Sequence, residues 1–437
     1  MRTVPRDGSA SCFAAPENTA EYPGYLCIAP ERRTPKKEST MKTARRLDNL
    51  GTETAFRVAQ AAADWKAQGN EVFPFHLGDL NFPLAGHIVE AVEKAIADGK
   101  TGYCPGPGIP ELREALADDI GSRRGMKIDP AEVVVTTGGK PVITKFLQAV
   151  MNPGEGVLYP NPGFPIYESQ IEYFGGTALP YRYVPTSDGF AIDLDHLRAS
   201  IDENTTAIIF NDLQNPISAE STPGEREAIA AIAQEFDLWV LSDEAYFEMR
   251  YRGKSQSIAA LPGMRERTVI LYTFSKKYAM TGSRLGCAVA PKEVAEAISL
   301  MNTNDESCTN QYVQWAGVAA LRGPQGPVGQ MLEVLRKRRD ATCRLINEIS
   351  GMSVATPGST FYVFPDVTEA MEAKGIATLA DFSTEALHAT GVSFCTREHF
   401  GSPQPGEDRS YIRLAYSGID EAAITTGLGR LKEWIEA

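Results

Sequence analysis

Apolar residues recur at helical spacing from Ala44 to Ala67 and stop at Gly69-Asn70, which predicts an amphipathic helix with a C-cap. Val72-Phe73-Pro74-Phe75-His76-Leu77 then predicts a short strand closing at Gly78. Farther on, apolar runs at 133–135, 157–159, 207–210, 239–241, 269–272 and 285–289 alternate with helical patterns such as 225–236 and 293–301. Strands that are apolar on both faces and alternate with helices imply a mostly parallel sheet covered on both sides. A helix-rich stretch follows over 311–349. The C-terminal part reads as strand 361–364 (stopped by Pro365), helix, strands 392–394 and 412–415, and helix 422–435. The expected fold class is therefore α/β, a mostly parallel mixed sheet covered by helices, with a smaller α+β C-terminal domain. The expected boundaries are an N-terminal extension over 1–40, an arm over 41–90 joining the small domain, a large domain over 91–325 and a small domain over 326–437.

Residues 1–40 stand apart, with five prolines, the basic pairs Arg32-Arg33 and Lys36-Lys37, and no periodic apolar face. That composition predicts a disordered tail. It has neither the apolar core of a secretory signal nor the acid-poor character of a transit peptide. Met41 opens the regular part, so an upstream-extended gene start is the expected origin of the tail.

The charge balance sharpens the functional classes. There are 43 Lys+Arg against 56 Asp+Glu, a net charge of −13. An acidic surface argues against a general nucleic-acid or anionic-membrane binder, and no apolar run approaches the roughly 20 residues of a membrane span. The 7 cysteines are odd in number and form no CxxC pair, and the 5 histidines never fall at HxxxH spacing. That usage predicts a reduced cytoplasmic protein with no metal cluster.

In open α/β sheets the ligand sits beyond the carboxyl ends of the strands. There the sequence places Thr136-Thr137-Gly138-Gly139-Lys140, then Asn215-Pro216, Ser242-Asp243-Glu244-Ala245-Tyr246, Ser275-Lys276-Lys277 and, 8 residues beyond Lys276, Arg284. Two glycines at a strand-to-helix turn leave backbone N–H groups for an anion. The loop is not a Walker A motif, because Pro141 follows the lysine. Each group alone reads as a turn, a cap or a surface charge. Successive strand ends supplying Asn, Asp with Tyr, Ser with Lys, and Arg point to one site.

The segment Ser275-Lys276-Lys277-Tyr278-Ala279-Met280-Thr281-Gly282-Ser283-Arg284-Leu285-Gly286 resembles the lysine signature of the class I/II pyridoxal-phosphate aminotransferases, of the aspartate aminotransferase fold type. The likeness extends over 45–435 through Gly78, Tyr103 before Gly106-Pro107-Gly108, Gly138-Gly139-Lys140, Asn215-Pro216, Asp243 to Tyr246, and Tyr411-Ile412-Arg413-Leu414. It implies pyridoxal 5′-phosphate as cofactor and a ping-pong transfer from an amino acid to a 2-oxo acid. Lys276 would form the Schiff base and move the Cα proton. Asp243 would hold the pyridine nitrogen protonated, Asn215 and Tyr246 would bind the phenolic oxygen, and Phe164 would stack on the ring. Gly138, Gly139, Ser275, Arg284 and Tyr103 would bind the phosphate, with Tyr103 reaching in from the neighbouring subunit of a homodimer. Arg413 would clamp the substrate α-carboxylate with Asn215 and the Gly78 backbone. Lys140 either meets a distal carboxylate, which favours aspartate or glutamate, or stays solvated near the phosphate.

Several positions depart from the family pattern. Ile217-Ser218 stands for Thr-Gly, Thr273 for Gly or Ser, Ser283 for a frequent Trp, Gly163-Phe164 for Tyr-Trp, and Gly358-Ser359-Thr360-Phe361-Tyr362 for Gly-Ala-Phe-Tyr. The loop from Cys395 to Gly401 lacks Pro-Gly, and its Arg397 and His399 read as an ordinary polar loop or as extra pocket cations. These changes suggest a specialised substrate. Lyases, decarboxylases, racemases and oxidases of the same fold type use the same lysine, aspartate and arginine, so the reaction class stays open to them. A pyridoxal-phosphate-binding transcription regulator would need a helix-turn-helix that 1–40 is too short and Pro-broken to make. A nicotinamide enzyme would need GxGxxG after the first strand, which is absent.

Overall fold

The computed structural model describes residues 42–51 and 55–437, so the expected tail over 1–40 lies outside the described residues. The chain divides into Met1–Ala44 and Arg45–Ala437. Of the first unit only 42–44 are described, and they are exposed.

The second unit opens with a short 3-10 turn, Arg45–Asn49, followed by the helix Ala55–Ala67. The sequence predicts one helix across both. Gly51 lies between the two, and its carbonyl accepts from Ser169 Oγ at 2.9 Å. Strand β1 (Phe73–Pro74) comes next. The central sheet is built from β2 (Val133–Thr136), β3 (Gly156–Asn161), β4 (Thr177–Thr186), β5 (Gly189–Ile192), β6 (Thr205–Phe210), β7 (Trp239–Asp243), β8 (Thr268–Thr273) and β9 (Gly286–Val289). Their order is β2-β9-β8-β7-β6-β3-β4-β5. The block from β8 to β4 is parallel, β9 runs antiparallel between β2 and β8, and β5 folds back on β4. This is the mixed, mostly parallel sheet that the apolar runs predict.

The β4–β5 hairpin escapes that reading. Its strands are half-buried near the sheet edge, and β4 carries Pro180 where it pairs only with β3 and Pro185 where it pairs only with β5, so one side of the ladder is open at each proline.

Alternate residues of each central strand feed different cores, as the strand period of two requires. Val133 and Val135 face Leu112, Leu116 and Ile120 of the helix Pro110–Arg124. Val134 faces Phe146 of Lys140–Val150 and Ile298 of Lys292–Asp305. A separate core serves β10 (Tyr362–Val363), β11 (Val392–Ser393) and β13 (Ile412–Ala415) with the helices Gly326–Ile346, Leu379–Thr390 and Glu421–Glu436, while β12 (Cys395–Thr396) pairs with β13. In it β1 pairs with β11, so the segment leading to Gly78 is anchored beside the C-terminal strands.

The topology gathers chemistry at one edge. Strands β2, β3, β6, β7 and β8 all end there. Because β9 is antiparallel, its start lies beside their ends, with Gly286 opposite both Thr136 and Thr273. Arg284, just before β9, therefore reaches the same edge as the residues that follow the parallel strands.

Candidate active site

A cavity of about 230 Å³ opens at that edge between the sheet and the C-terminal strands. Gly78, Gly139, Lys140, Phe164, Asn215, Asp243, Tyr246, Ser275, Lys276, Arg284 and Arg413 all line it. Tyr103 is outside it and 86% exposed, so a single chain does not bring that residue to the others.

Asp243, the last residue of β7, is buried. Its Oδ2 accepts from the Tyr167 hydroxyl at 2.6 Å and its Oδ1 from the Ala245 N–H at 3.2 Å. Burial pushes its carboxyl up to about 6, against the pull of Tyr167, the Ala245 N–H and the Lys276 charge. Lys276 extends from the short helix after β8, and its Nζ donates to the Gly78 carbonyl at 3.1 Å. Thr273 caps this helix by accepting from Ser275 N at 3.2 Å, and its hydroxyl donates to Ser275 Oγ at 3.0 Å. A Gly here could do neither, so this departure from the family pattern holds the lysine turn in place. Lys277 points elsewhere, to Asp119 at 3.4 Å.

Asn211 joins two of the expected residues. Its Nδ2 donates to the Asp243 carbonyl at 2.9 Å and its Oδ1 accepts from Asn215 N at 3.1 Å. Asn215 Oδ1 in turn accepts from Arg413 Nη1 at 3.2 Å. Arg413 is buried on β13, and its guanidinium lies 4.7 Å from the Tyr362 ring and 4.8 Å from the Phe400 ring. Its Nη2 donates to the His76 carbonyl at 2.5 Å, while its Nε is buried with no hydrogen-bond partner. Burial and the Arg413 charge hold the His76 imidazole down at about 4, so it stays neutral beside that cation. The Tyr246 hydroxyl is 2.8 Å from that of Tyr362. A Cβ at Gly78 would stand 2.2 Å from the Tyr362 hydroxyl, so only glycine fits there.

At the opposite end Gly138 adopts φ 97°, and a Cβ on it would lie 2.4 Å from Arg284 Nη2. Arg284 donates to the Thr281 carbonyl at 2.9 Å. The glycine turn is braced from behind, where Glu306 accepts from Thr137 Oγ1 at 2.7 Å and from the buried Lys145 Nζ at 2.9 Å. Lys140 opens the next helix with its ammonium 5.5 Å from the Phe164 ring. Phe164 meets Tyr167 edge-on at 5.8 Å. Arg397 and His399 are not pocket cations: Arg397 binds Glu407 at 2.6 Å and Asn161 at 2.6 Å, and His399 Nδ1 accepts from Thr396 N at 3.0 Å.

One cavity therefore holds a half-buried lysine, a buried carboxylate on the neighbouring strand, a cation beside a glycine turn and a second, stacked cation at the far wall. Residues 70–431 match the family described as aminotransferase class I and II. The chain belongs to that family. The aspartate aminotransferase of Geobacillus stearothermophilus is 30% identical over 400 residues, spanning 91% of this chain and 100% of that protein. The probable aspartate/prephenate aminotransferase of Aquifex aeolicus is 31% identical over 399 residues, spanning 90% of this chain and 98% of its own length. Among solved structures, the aspartate aminotransferase from Thermus thermophilus with maleate superposes with a TM-score of 0.82 at 28% identity, covering 90% of this chain and 100% of that one. The alanine aminotransferase from Pyrococcus furiosus gives the same TM-score of 0.82, identity of 28% and coverage of 90% and 100%. The fold is that of the fold-type-I aminotransferases, and the enzyme is a transaminase.

In this aminotransferase the supporting groups are the ones that sequence reasoning missed. Tyr167 and Asn211 hold Asp243, Tyr362 stacks on Arg413, and Glu306 braces the glycine turn. Asn211 carried a signal as the first residue past β6. Tyr167 sits inside a helix and Glu306 at the end of another, where nothing in the local pattern marks them. Among the described residues no helix is long and apolar enough to cross a membrane, and no group of His, Cys, Asp and Glu could hold a metal ion.

Proposed function

We propose that this aminotransferase works with pyridoxal 5′-phosphate, takes aspartate or glutamate as amino donor, and acts as a cytoplasmic homodimer. The observation that carries the reading is the single cavity in which the Lys276 amine, the Asp243 carboxylate and the Arg413 guanidinium line different walls. The residues fit the cofactor. Gly138 leaves no room for a side chain against Arg284, which suits a phosphate cradle of backbone N–H groups with Arg284 and Ser275. The unpartnered, buried Nε of Arg413 is the kind of donor that a substrate carboxylate would satisfy. When bound, pyridoxal phosphate supplies an electron sink conjugated to the substrate Cα.

The chain's own groups then divide the work. Asp243 holds a proton on the pyridine nitrogen, kept in place by Tyr167. Asn215 and Tyr246 bind the phenolic oxygen, and Phe164 covers the ring. Lys276 Nζ would take the proton from the substrate Cα and deliver it, from the same side, to the cofactor carbon C4′. Arg413 binds the α-carboxylate with its plane fixed between Tyr362 and Phe400. Lys140 meets the distal carboxylate of an acidic donor. The names of the aspartate aminotransferase relatives favour the same donor class. Tyr103, at 86% exposure, suits a phosphate contact made across a homodimer interface. In domain terms, 91–325 carries the cofactor end and 326–437 with the arm over 41–90 carries Arg413 and Gly78.

A single-turnover absorbance screen with bound pyridoxal phosphate against a panel of amino acids, with products identified by mass, tests this. Aspartate or glutamate should give the matching 2-oxo acid and leave the nitrogen on the protein. Release of ammonia, carbon dioxide or peroxide instead would move the enzyme to a lyase, decarboxylase or oxidase. In steady state, Arg413→Lys should raise KM for both substrates roughly 100-fold, about 2.7 kcal/mol, because an ammonium cannot bind a carboxylate bidentately while contacting Asn215. A KM within threefold of the parent would remove Arg413 from the carboxylate site.

A further inference from the structure

Two cysteines that the reaction does not use lie close together outside the cavity. Cys104 directly follows Tyr103, and Cys308 lies just beyond Glu306. The Cys104 N–H donates to Cys308 Sγ at 3.5 Å, and the Cys104 thiol donates to the Thr309 carbonyl, next to Cys308, at 3.5 Å. Gln314 braces both segments: its Nε2 donates to Cys104 Sγ at 3.1 Å and to the Thr309 carbonyl at 2.7 Å. Among the described cysteines these two are partly exposed, whereas Cys287, Cys343 and Cys395 are buried.

We infer that Cys104 and Cys308 form a reversible disulfide in response to low-molecular-weight disulfides, and that its closure weakens the hold on the cofactor phosphate. The second half rests on the pyridoxal-phosphate reading above. Burial, then the neighbouring Cys308 thiol, push the Cys104 thiol up to about 11, which suits Cys104 to the second step, and Cys308 makes the first attack. Its thiolate attacks the oxidant RSSR and expels RS⁻, leaving Cys308 in a mixed disulfide. Cys104 then gives up its proton and attacks the Cys308 sulfur, which expels the second RS⁻. Two protein thiols are oxidised and one small disulfide is reduced to two thiols.

The consequence follows from what each segment carries. A disulfide holds its sulfurs at about 2.0 Å, closer than any non-bonded contact of two thiols, so closure breaks the bond from Cys104 Sγ to the Thr309 carbonyl and draws the two segments together. On one side the movement reaches Tyr103. On the other it passes through Ser307, already at φ 63°, to Glu306, which holds Thr137 beside the glycine turn and Lys145 in its helix. Both routes end at phosphate ligands. Disulfides in reduced compartments are characteristically transient sensors of this kind.

The test uses the purified full chain, first reduced and then incubated with oxidised glutathione. The intact mass should fall by two hydrogens, and peptide mapping should show the peptides bearing Cys104 and Cys308 joined, reversibly with dithiothreitol. The dissociation constant for pyridoxal phosphate, from fluorescence titration, should rise roughly tenfold on oxidation and return on reduction. Cys308→Ser should bind the cofactor like the reduced parent and ignore the oxidant. Failure of the two peptides to join would overturn the inference. Joined peptides with unchanged affinity would overturn the coupling. A reduced chain that joins the peptides but binds no pyridoxal phosphate would overturn the cofactor reading and the coupling with it, while the disulfide itself stands.

Discussion

Lys276→Ala protein, treated with pyridoxal phosphate and then borohydride, should gain no covalent pyridoxyl mass, and its transamination rate should fall by roughly 10⁵-fold or more, on the scale of removing a nucleophile. The geometry leaves no substitute. Lys277 is buried and its Nζ faces Asp119 at 3.4 Å, with Arg123 and Glu248 around it. Lys140 lines the same cavity, but beside Phe164 and at the start of a different helix. The two lysines of the motif are adjacent in sequence and turn to opposite sides because a helical residue advances about 100° around the axis. A retained adduct would be located by peptide mapping. Finding it on Lys277 or Lys140 would dismantle the assignment, since Asp243 could then no longer face the ring that the lysine holds.

What the sequence makes legible here is the set of strand ends. Asn215, Asp243, Ser275 and Lys276 each follow an apolar run that could only be a buried strand, and parallel packing brings such ends together whatever the intervening helices contain. Arg284 is legible for a subtler reason: the antiparallel β9 starts where its neighbours stop, with Gly286 opposite Thr136 and Thr273. Arg413 needed the family motif, since nothing in Tyr411-Ile412-Arg413-Leu414 says whether the arginine points to solvent or, as it does, between the Tyr362 and Phe400 rings. The partners of these groups were silent. Tyr167 meets Asp243 across 76 positions, and Glu306 meets Thr137 across 169. Such contacts are fixed by tertiary packing, and local periodicity carries no trace of them. The β4–β5 hairpin was hidden by its own prolines, and the hydrogen bond from Ser169 to Gly51 is one that no helical pattern announces.

Asp243→Asn should still bind pyridoxal phosphate, yet lose roughly 10³-fold in kcat, about 4 kcal/mol of transition-state stabilisation. Asparagine keeps the volume and can accept from the Tyr167 hydroxyl and the Ala245 N–H, so the cavity wall survives. On the reading proposed above it could not hold a proton on the pyridine nitrogen, and the electron sink would fail for want of that charge. The same substitution should change the pH dependence of the cofactor-free protein. Burial raises the Asp243 carboxyl from 3.8 to about 6, so between those values the native state holds a proton that the unfolded chain has released. The stability this contributes is present below about pH 4 and is lost as pH rises through 6. Denaturant titrations of parent and variant should therefore show a stability difference that shifts by about 3 kcal/mol in the variant's favour across that window. A parallel pair of curves would mean that Asp243 is ionised throughout in the empty site. Near-normal kcat in the variant would remove the carboxylate from the chemistry and leave Tyr167, which donates to it, without a catalytic reason to be buried beside it.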